Sequence, residues 1–187
     1  MKRIAITGTH GVGKTSLAQS LTNKFTQLDM KSILNSQIAR TLIKNGYPLG
    51  KEATSESYIQ YIISQLQAEQ RAKECDIFIS DRTLLDPFAY AIVNQEYVHS
   101  DVPDDIIKLL ESVWQLELSQ YDLYVLVPIE FDMQIDNIRP VDEEYRKRVE
   151  SQIDLLLNKY HVNHIIVSGT IEDRISQVLF SVGTNPV

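Results

Sequence analysis

The chain has 187 residues, close to the size of one domain, and 43% of them are hydrophobic, which is enough for a sizeable buried core. Its formal net charge of −7, from 25 acidic and 18 basic residues, excludes the diffuse positive field that binds polymeric nucleic acid. The single cysteine, Cys75, excludes an internal disulfide framework, and no apolar run reaches the roughly 18 residues that cross a bilayer. We therefore expect one domain spanning residues 1–187, cytoplasmic, a monomer or homodimer, with no membrane or nucleic-acid partner.

Short apolar runs and amphipathic segments alternate along the chain. Five runs are typical of buried strands: 4–6, 33–34, 77–79, 123–127 and 164–167. Helical spacing of apolar residues fills the intervals, first at Leu17, Leu21, Phe25 and Leu28, then at Ile59, Ile62, Ile63 and Leu66, and later around Leu110, Ile153 and Val178. Segments 45–54, 94–104 and 130–142 are the loosest, and the tail after Gly183 is expected to fray. This alternation predicts an α/β fold whose ligand-binding residues follow the carboxyl ends of parallel strands.

The first predicted strand runs directly into a glycine-rich segment with the P-loop (Walker A) pattern. Four residues separate Gly8 from Gly13, and Lys14 and Thr15 follow. Backbone N–H groups and the positive end of the next helix converge there, so the segment attracts phosphate. Lys14 is expected to reach the β- and γ-phosphates of ATP, and Thr15 to offer its hydroxyl to Mg²⁺. The predicted ATP-binding residues are Gly8, Thr9, His10, Gly11, Val12, Gly13, Lys14, Thr15 and Ser16, with His10 interpreted as a spacer.

A carboxylate and a guanidinium follow the third predicted strand, at Asp81 and Arg82. At that edge of a sheet, Asp81 can hold magnesium or accept a proton from an attacking hydroxyl, while Arg82 can grip a substrate phosphate with two hydrogen bonds. The alternative is a surface ion pair in which Asp81 caps a helix near Thr83. The phosphate loop favours the catalytic interpretation.

These features together resemble the P-loop kinases of nucleosides and nucleotides, which include thymidylate kinases. Within that superfamily the chain is most similar to the AAA-type family related to the ribosylnicotinamide kinase domain of bacterial NAD biosynthesis. The stretches that carry the resemblance are 6–10, 81–83 with Asp86 and Tyr90, and 136–139. The resemblance implies a three-layer α/β/α sandwich with a five-stranded parallel sheet ordered 2-3-1-4-5, and a small lid at about 129–148. It also implies transfer of the ATP γ-phosphate to a nucleoside, nucleotide or nicotinamide-riboside-like acceptor.

The resemblance also implies roles for residues around the lid and the acceptor. Lid arginines close over the phosphates in related kinases, which makes Arg139 the first candidate and Arg146 the second, although composition alone suggests a solvated helix face. The implied acceptor-binding residues are Arg82, Gln37, Arg40 and Asp86. Gln37 stands where the family commonly has Glu and cannot serve as a base, so the acceptor's identity stays open.

Two further groups of residues allow alternative interpretations. An aromatic and amide surface for a ring could come from Tyr58, Tyr61, Gln65, Gln67, Phe88 and Tyr90, although tyrosines at helical spacing are more often core residues. The segment 168–170 lies where related kinases place the adenine, but it also reads as a glycine turn in which Thr170 caps the last helix.

Two other classes of P-loop protein are alternatives to a kinase. A regulatory GTPase needs an Asn-Lys-x-Asp element after a strand, and the nearest string, at 158–161, ends in histidine within a predicted helix. A P-loop ATPase that couples hydrolysis to conformational change, without a metabolite acceptor, stays open as the alternative.

Overall fold

The architecture is a five-stranded parallel sheet between two layers of helices. The computed structural model describes residues 1–98, 101–130 and 142–184. The strands are β1 (Lys2–Thr7), β2 (Ser32–Asn35), β3 (Ile77–Asp81), β4 (Leu123–Leu126) and β5 (His164–Ile166). The helices are α1 (Lys14–Gln27), α2 (Ile38–Lys44), α3 (Ser55–Glu69), α4 (Leu85–Val93), α5 (Asp104–Leu118), α6 (Glu143–Lys159) and α7 (Ile171–Ser181). Within these described ranges no helix is both long and apolar enough to cross a membrane.

The order of the strands is β2-β3-β1-β4-β5, and every pair is parallel. The predicted fold class and strand order are confirmed. Because β1 lies between β3 and β4, the segments that follow these three strands meet at one edge of the sheet. This edge is where an open α/β sheet binds its ligands.

Two apolar clusters cover the two faces of the sheet. Alternation along β1 sends Ile4 and Ile6 to the cluster shared with α1 and α7, and Ala5 to the cluster shared with α3 to α6. The predicted inner face of α1 is confirmed at Leu17 and Leu21, which are fully buried. The sheet thus rests on packed side chains on both faces, which fixes the position of its carboxyl edge.

The predicted inner face of α3 is wrong at most of its positions. Ile59, Ile63 and Leu66 are 40–42% exposed, and of the predicted set only Ile62 is buried. The helix instead turns a face of mixed polarity inward, which includes Tyr58, Tyr61, Gln65 and Glu69. The prediction from apolar spacing is wrong here because the interior beside α3 contains hydrogen-bond partners for hydroxyl, amide and carboxylate groups, which can therefore be buried.

A buried polar network lies between α3, α5 and the start of α4. Glu69 is well satisfied, because it accepts hydrogen bonds from Gln65 and Tyr121 and pairs with Arg3 at 3.0 Å. Glu117 is 1% exposed and accepts a hydrogen bond from the Leu84 N–H at 2.9 Å. Burial, together with the neighbouring Glu69 carboxylate, raises the pKa of Glu117 well above its ordinary value of 4.5. The ionised form of Glu117 therefore weakens the folded state.

We expect Glu117→Gln to stabilise the protein at pH 7–8 and to have little effect near pH 4. Between the ordinary and the raised pKa, the folded protein holds one more proton than the unfolded chain, so wild-type stability falls as pH rises. A glutamine side chain can still accept the hydrogen bond from the Leu84 N–H but cannot ionise. The stability of the variant therefore does not decrease over this pH range. Thermal unfolding across pH should show a higher unfolding temperature for the variant than for wild type at the alkaline end, and no difference near pH 4.

Glu69→Gln is the matched control for this experiment. It should lower the unfolding temperature at the same pH, since Arg3 would lose its ion pair. A Glu117→Gln protein that is less stable than wild type at pH 8 would contradict the account of this network.

Candidate active site

The phosphate loop connects β1 to α1 and leaves the first turn of α1 open to an anion. At Gly8, φ is +141°, and a Cβ there would lie 2.5 Å from the Val127 carbonyl oxygen, so only glycine fits. Gly13 is the N-cap of α1, with φ at +88°, and provides no side chain to bond the first amides of the helix. Those amides and the positive end of the helix dipole are therefore available to phosphate oxygens.

The Lys14 side chain is buried inside this loop. It is 5% exposed, and its ammonium group donates a hydrogen bond to the Thr9 carbonyl oxygen. Burial lowers its pKa to about 7, and Arg82 acts in the same direction, while Asp86 and Asp81 oppose them. A phosphate anion next to Lys14 would favour its charged form.

Thr15 and Asp81 meet where the phosphate loop approaches the end of β3. The Thr15 hydroxyl donates to Asp81 Oδ2 at 2.5 Å. The other carboxylate oxygen, Oδ1, is buried and has no hydrogen-bond partner within the described residues. A hydroxyl beside a carboxylate with an unpaired oxygen fits Mg²⁺, which proteins hold through one or two such groups, with phosphates and water completing its shell.

Arg82 is held next to these residues in an uncommon conformation. Its φ is +82°, which a residue with a side chain adopts only under constraint from its surroundings. The guanidinium pairs with Asp86 Oδ1 at 2.9 Å, and Asp86 Oδ2 accepts from the Thr7 hydroxyl and the Thr83 N–H, both at 3.2 Å. Burial raises the pKa of Asp86, although Arg82 opposes this. Both oxygens of Asp86 are thus engaged within the protein, and its evident task is to orient Arg82.

Arg146 reaches the phosphate loop from α6. It is fully buried, its Nε donates to the His10 carbonyl oxygen at 3.2 Å, and its Nη1 pairs with Glu143. Its Nη2 is buried and has no hydrogen-bond partner in the part of the chain that the structure describes. The solvated-face alternative therefore fails for Arg146, whereas Lys147 and Arg148 are exposed as it requires.

His10 lies between α4 and α6 on one side of the loop. Its backbone N–H donates to the Tyr90 hydroxyl at 3.1 Å, and its Nδ1 lies 3.0 Å from the same oxygen. Its ring also packs near Tyr145, with the ring centres 6.3 Å apart. The interpretation of His10 as a spacer missed these contacts because both tyrosines are far away in sequence.

A cavity of about 640 Å³ opens beside the loop and the end of β3. The predicted residues brought together on its wall are His10, Thr15, Arg40, Asp81, Arg82 and Asp86. Tyrosines supply the aromatic part of the wall: Tyr58, Tyr61, Tyr90 and Tyr145. Lys51, Glu52, Asp142 and Tyr145 also line it and were not predicted, because they come from segments without a motif.

Among the other predicted site residues, Gln37 and Ser16 do not line this cavity, and Arg139 lies outside the described residues. Gln37 is exposed at the N-cap of α2, where its amide contacts Ser36, and it does not line the cavity. Ser16 is exposed on the first turn of α1. Arg139 falls outside the described residues, as do 131–141 as a whole, so the prediction for Arg139 stays a prediction.

The segment after β5 is engaged by its own chain. Thr170 and Asp173 form a capping box at the start of α7, which confirms the capping interpretation. Gly169 donates its N–H to Glu130, and Ser168 exchanges two hydrogen bonds with the Gln177 side chain. The expected contact of this segment with adenine stays a prediction.

A glycine-rich loop between the central strand and the first helix, on a parallel sheet ordered 2-3-1-4-5, defines a P-loop NTPase fold with a kinase-like arrangement. The family described as AAA domain matches residues 3–174, and the chain belongs to this family. No curated protein matches the sequence significantly.

Solved structures with the same fold include two kinds of protein. Deoxyadenosine kinase from M. mycoides, solved with dCMP and dCDP, has a TM-score of 0.71 at 15% identity, over 97% of this chain and 99% of that one. NadR in complex with NR has a TM-score of 0.76 at 18% identity, over 97% of this chain, and this chain spans about half (52%) of the NadR chain. NadR with NAD and AMP-PNP gives 0.76 at 17% identity, over 100% and 51% of the two chains. The predicted resemblance to P-loop kinases is thereby confirmed at the level of the fold.

Proposed function

We propose that this protein is an ATP-dependent kinase that moves the γ-phosphate of ATP to a small, nucleoside-like acceptor in the tyrosine-lined cavity. One observation carries the proposal. The phosphate loop and the Asp81-Arg82 turn open onto the same cavity of about 640 Å³, so a donor phosphate and an acceptor hydroxyl can meet there. The fold relatives support the class of acceptor, since one is a deoxyadenosine kinase and the other was solved with NR.

On the donor side, the loop amides and Lys14 bind the β- and γ-phosphates. We propose that Arg146, on α6, binds the same phosphates. Its Nη2 is buried without a hydrogen-bond partner among the described residues, and its positive charge lowers the pKa of Lys14. Positive groups placed before the reaction stabilise the charge that develops on the transferred phosphoryl group. Arg139 is proposed to act with Arg146 from the lid at about 129–148.

Thr15 and Asp81 are proposed to hold the magnesium ion that accompanies ATP. When bound, the ion neutralises phosphate charge and orients the two terminal phosphates. Asp81 suits this role better than Asp86 does, because Asp81 keeps one oxygen without a partner in the described chain and Asp86 keeps none.

On the acceptor side, the wall combines aromatic and charged residues. Tyr58, Tyr61 and Tyr145 supply aromatic atoms that a ring can contact, while Arg40 and Arg82 offer donors for a hydroxyl or a phosphate. A volume of about 640 Å³ falls within the usual range for a small-molecule site. A sugar with an attached aromatic base meets both requirements.

The test is a panel of acceptors incubated with ATP and magnesium, with products identified by mass. Nucleosides, nucleoside monophosphates and nicotinamide riboside form the panel. A kinase should release ADP rapidly only with the right acceptor, whose mass increases by one phosphoryl group. Steady ADP release that no acceptor accelerates would contradict the proposal and favour an ATPase.

A further inference from the structure

Arg174, on α7, contacts three separate loops at the carboxyl edge of the sheet. Its Nη1 donates to the Val12 carbonyl oxygen at 3.3 Å, its Nε to the Gly169 carbonyl oxygen at 3.1 Å, and its Nη2 to the Glu130 carboxylate at 2.5 Å. The residue is only 5% exposed. Burying a guanidinium is costly unless its donors are satisfied, and here each of its nitrogens meets an acceptor.

The contact with Val12 controls one peptide of the phosphate loop. The Val12 carbonyl and the Gly13 N–H belong to the same planar trans peptide and point in opposite directions. Because Arg174 holds the carbonyl on the α7 side, the Gly13 N–H is aimed away from α7. Glycine at position 13 would otherwise allow this peptide to rotate, so the loop needs an outside contact to select one orientation.

Glu130 fixes the guanidinium in place. Its Oε2 pairs with Arg174, and its Oε1 accepts the Gly169 N–H at 3.2 Å. The planar guanidinium therefore has acceptors in the loops after β1, β4 and β5 at the same time. A lysine ammonium group has the charge but not the planar fork that spans these three positions.

We propose that Arg174 is a positioning residue that presets the Val12-Gly13 peptide of the phosphate loop for a polyphosphate anion. It does not line the acceptor cavity, so its effect is on the donor side. This inference rests on the proposed function, because it requires that the loop bind a nucleoside triphosphate.

The experiment measures binding of Mg-ATP and of inorganic tripolyphosphate to wild type, Arg174→Ala and Arg174→Lys by calorimetry. We expect Arg174→Ala to weaken both ligands by about 10- to 100-fold, the loss of one hydrogen bond to a charged group, and Arg174→Lys to fall between it and wild type. In turnover, KM for ATP should rise by a similar factor, while kcat and KM for the acceptor change by less than about threefold.

Arg3→Ala is the matched control, since Arg3 is also buried and ion-paired but lies at the opposite edge of the sheet. It should lower the unfolding temperature and leave both affinities unchanged. If the Ala variant of Arg174 does not fold, the Lys variant decides, because it keeps a cation at the same place.

The possible failures are distinct. Wild-type protein that binds neither ATP nor tripolyphosphate overturns the proposed function and the inference with it. Wild-type binding with unchanged affinities in the folded Arg174 variants overturns the inference alone. Weaker binding of ATP with unchanged binding of tripolyphosphate also overturns it, since Arg174 would then act on the nucleoside.

Discussion

Lys14→Ala is expected to lower kcat/KM for ATP on the order of 10³-fold while the fold is retained. The Lys14 ammonium is buried in the loop, where it donates to the Thr9 carbonyl oxygen and where a bound phosphate would favour its charged form. Burial lowers its pKa to about 7, so its charged form contributes little to the stability of the free protein at neutral pH. Loss of the side chain should therefore leave the unfolding temperature of the free protein unchanged or slightly raised, since a buried charge is removed.

Steady-state kinetics with thermal unfolding checks this prediction, and Lys24→Ala is its control. Lys24 lies on the same helix, in its last turn and about 15 Å along the axis from Lys14. Its removal should leave kcat/KM within about twofold of wild type, as expected for a surface substitution away from the site. A folded Lys14→Ala protein with near-normal kcat/KM would show that the ammonium does not bind the transferred phosphate.

The phosphate loop could be predicted because short-range chemistry determines it, whereas the strand order was implied by the resemblance to P-loop kinases. Glycine spacing, a buried strand before it and an amphipathic helix after it define the loop without reference to the rest of the chain. The end of β3 was predicted for the same reason, since Asp81 and Arg82 follow an apolar run directly.

The contacts that hold His10 and Arg146 beside the phosphate loop could not be predicted, because they join residues far apart in sequence. Tyr90 bonds His10 across 80 positions, and Arg146 bonds the same residue across 136. Composition around Arg146 is typical of a solvated helix, but helical spacing from Val149 and Ile153 places position 146 on the buried face of α6, while Lys147 is exposed.

The inner face of α3 was missed for a related reason. Apolar periodicity assumes that polar side chains face water, but Tyr58 bonds Asn94 and Gln65 bonds Glu69 inside the protein. The same helix thus contributes to the cavity wall and to the polar network. Both places require tyrosine or polar side chains, which a rule based on apolar periodicity assigns to the solvent-exposed face.

Asp81→Asn is expected to lower kcat on the order of 10²-fold and to raise the magnesium concentration needed for half-maximal rate. Asn keeps the shape of Asp81 and can still accept from Thr15, but it is neutral, and one of its two terminal atoms becomes a donor. A cation that now meets a hydroxyl and one amide oxygen is held more weakly. A magnesium titration at fixed ATP and acceptor measures the shift.

Asp76→Asn is the control for this titration. Asp76 lies immediately before β3, at the opposite edge of the sheet from Asp81, and accepts a hydrogen bond from the Lys31 N–H. Its magnesium dependence should match that of wild type.

If Asp81→Asn needs more magnesium but recovers full kcat at saturation, the carboxylate serves only to bind the metal. If kcat stays low at saturation, Asp81 also acts on the reacting groups, where its Oδ1 has no other partner among the described residues. Normal turnover at every magnesium concentration would contradict both roles.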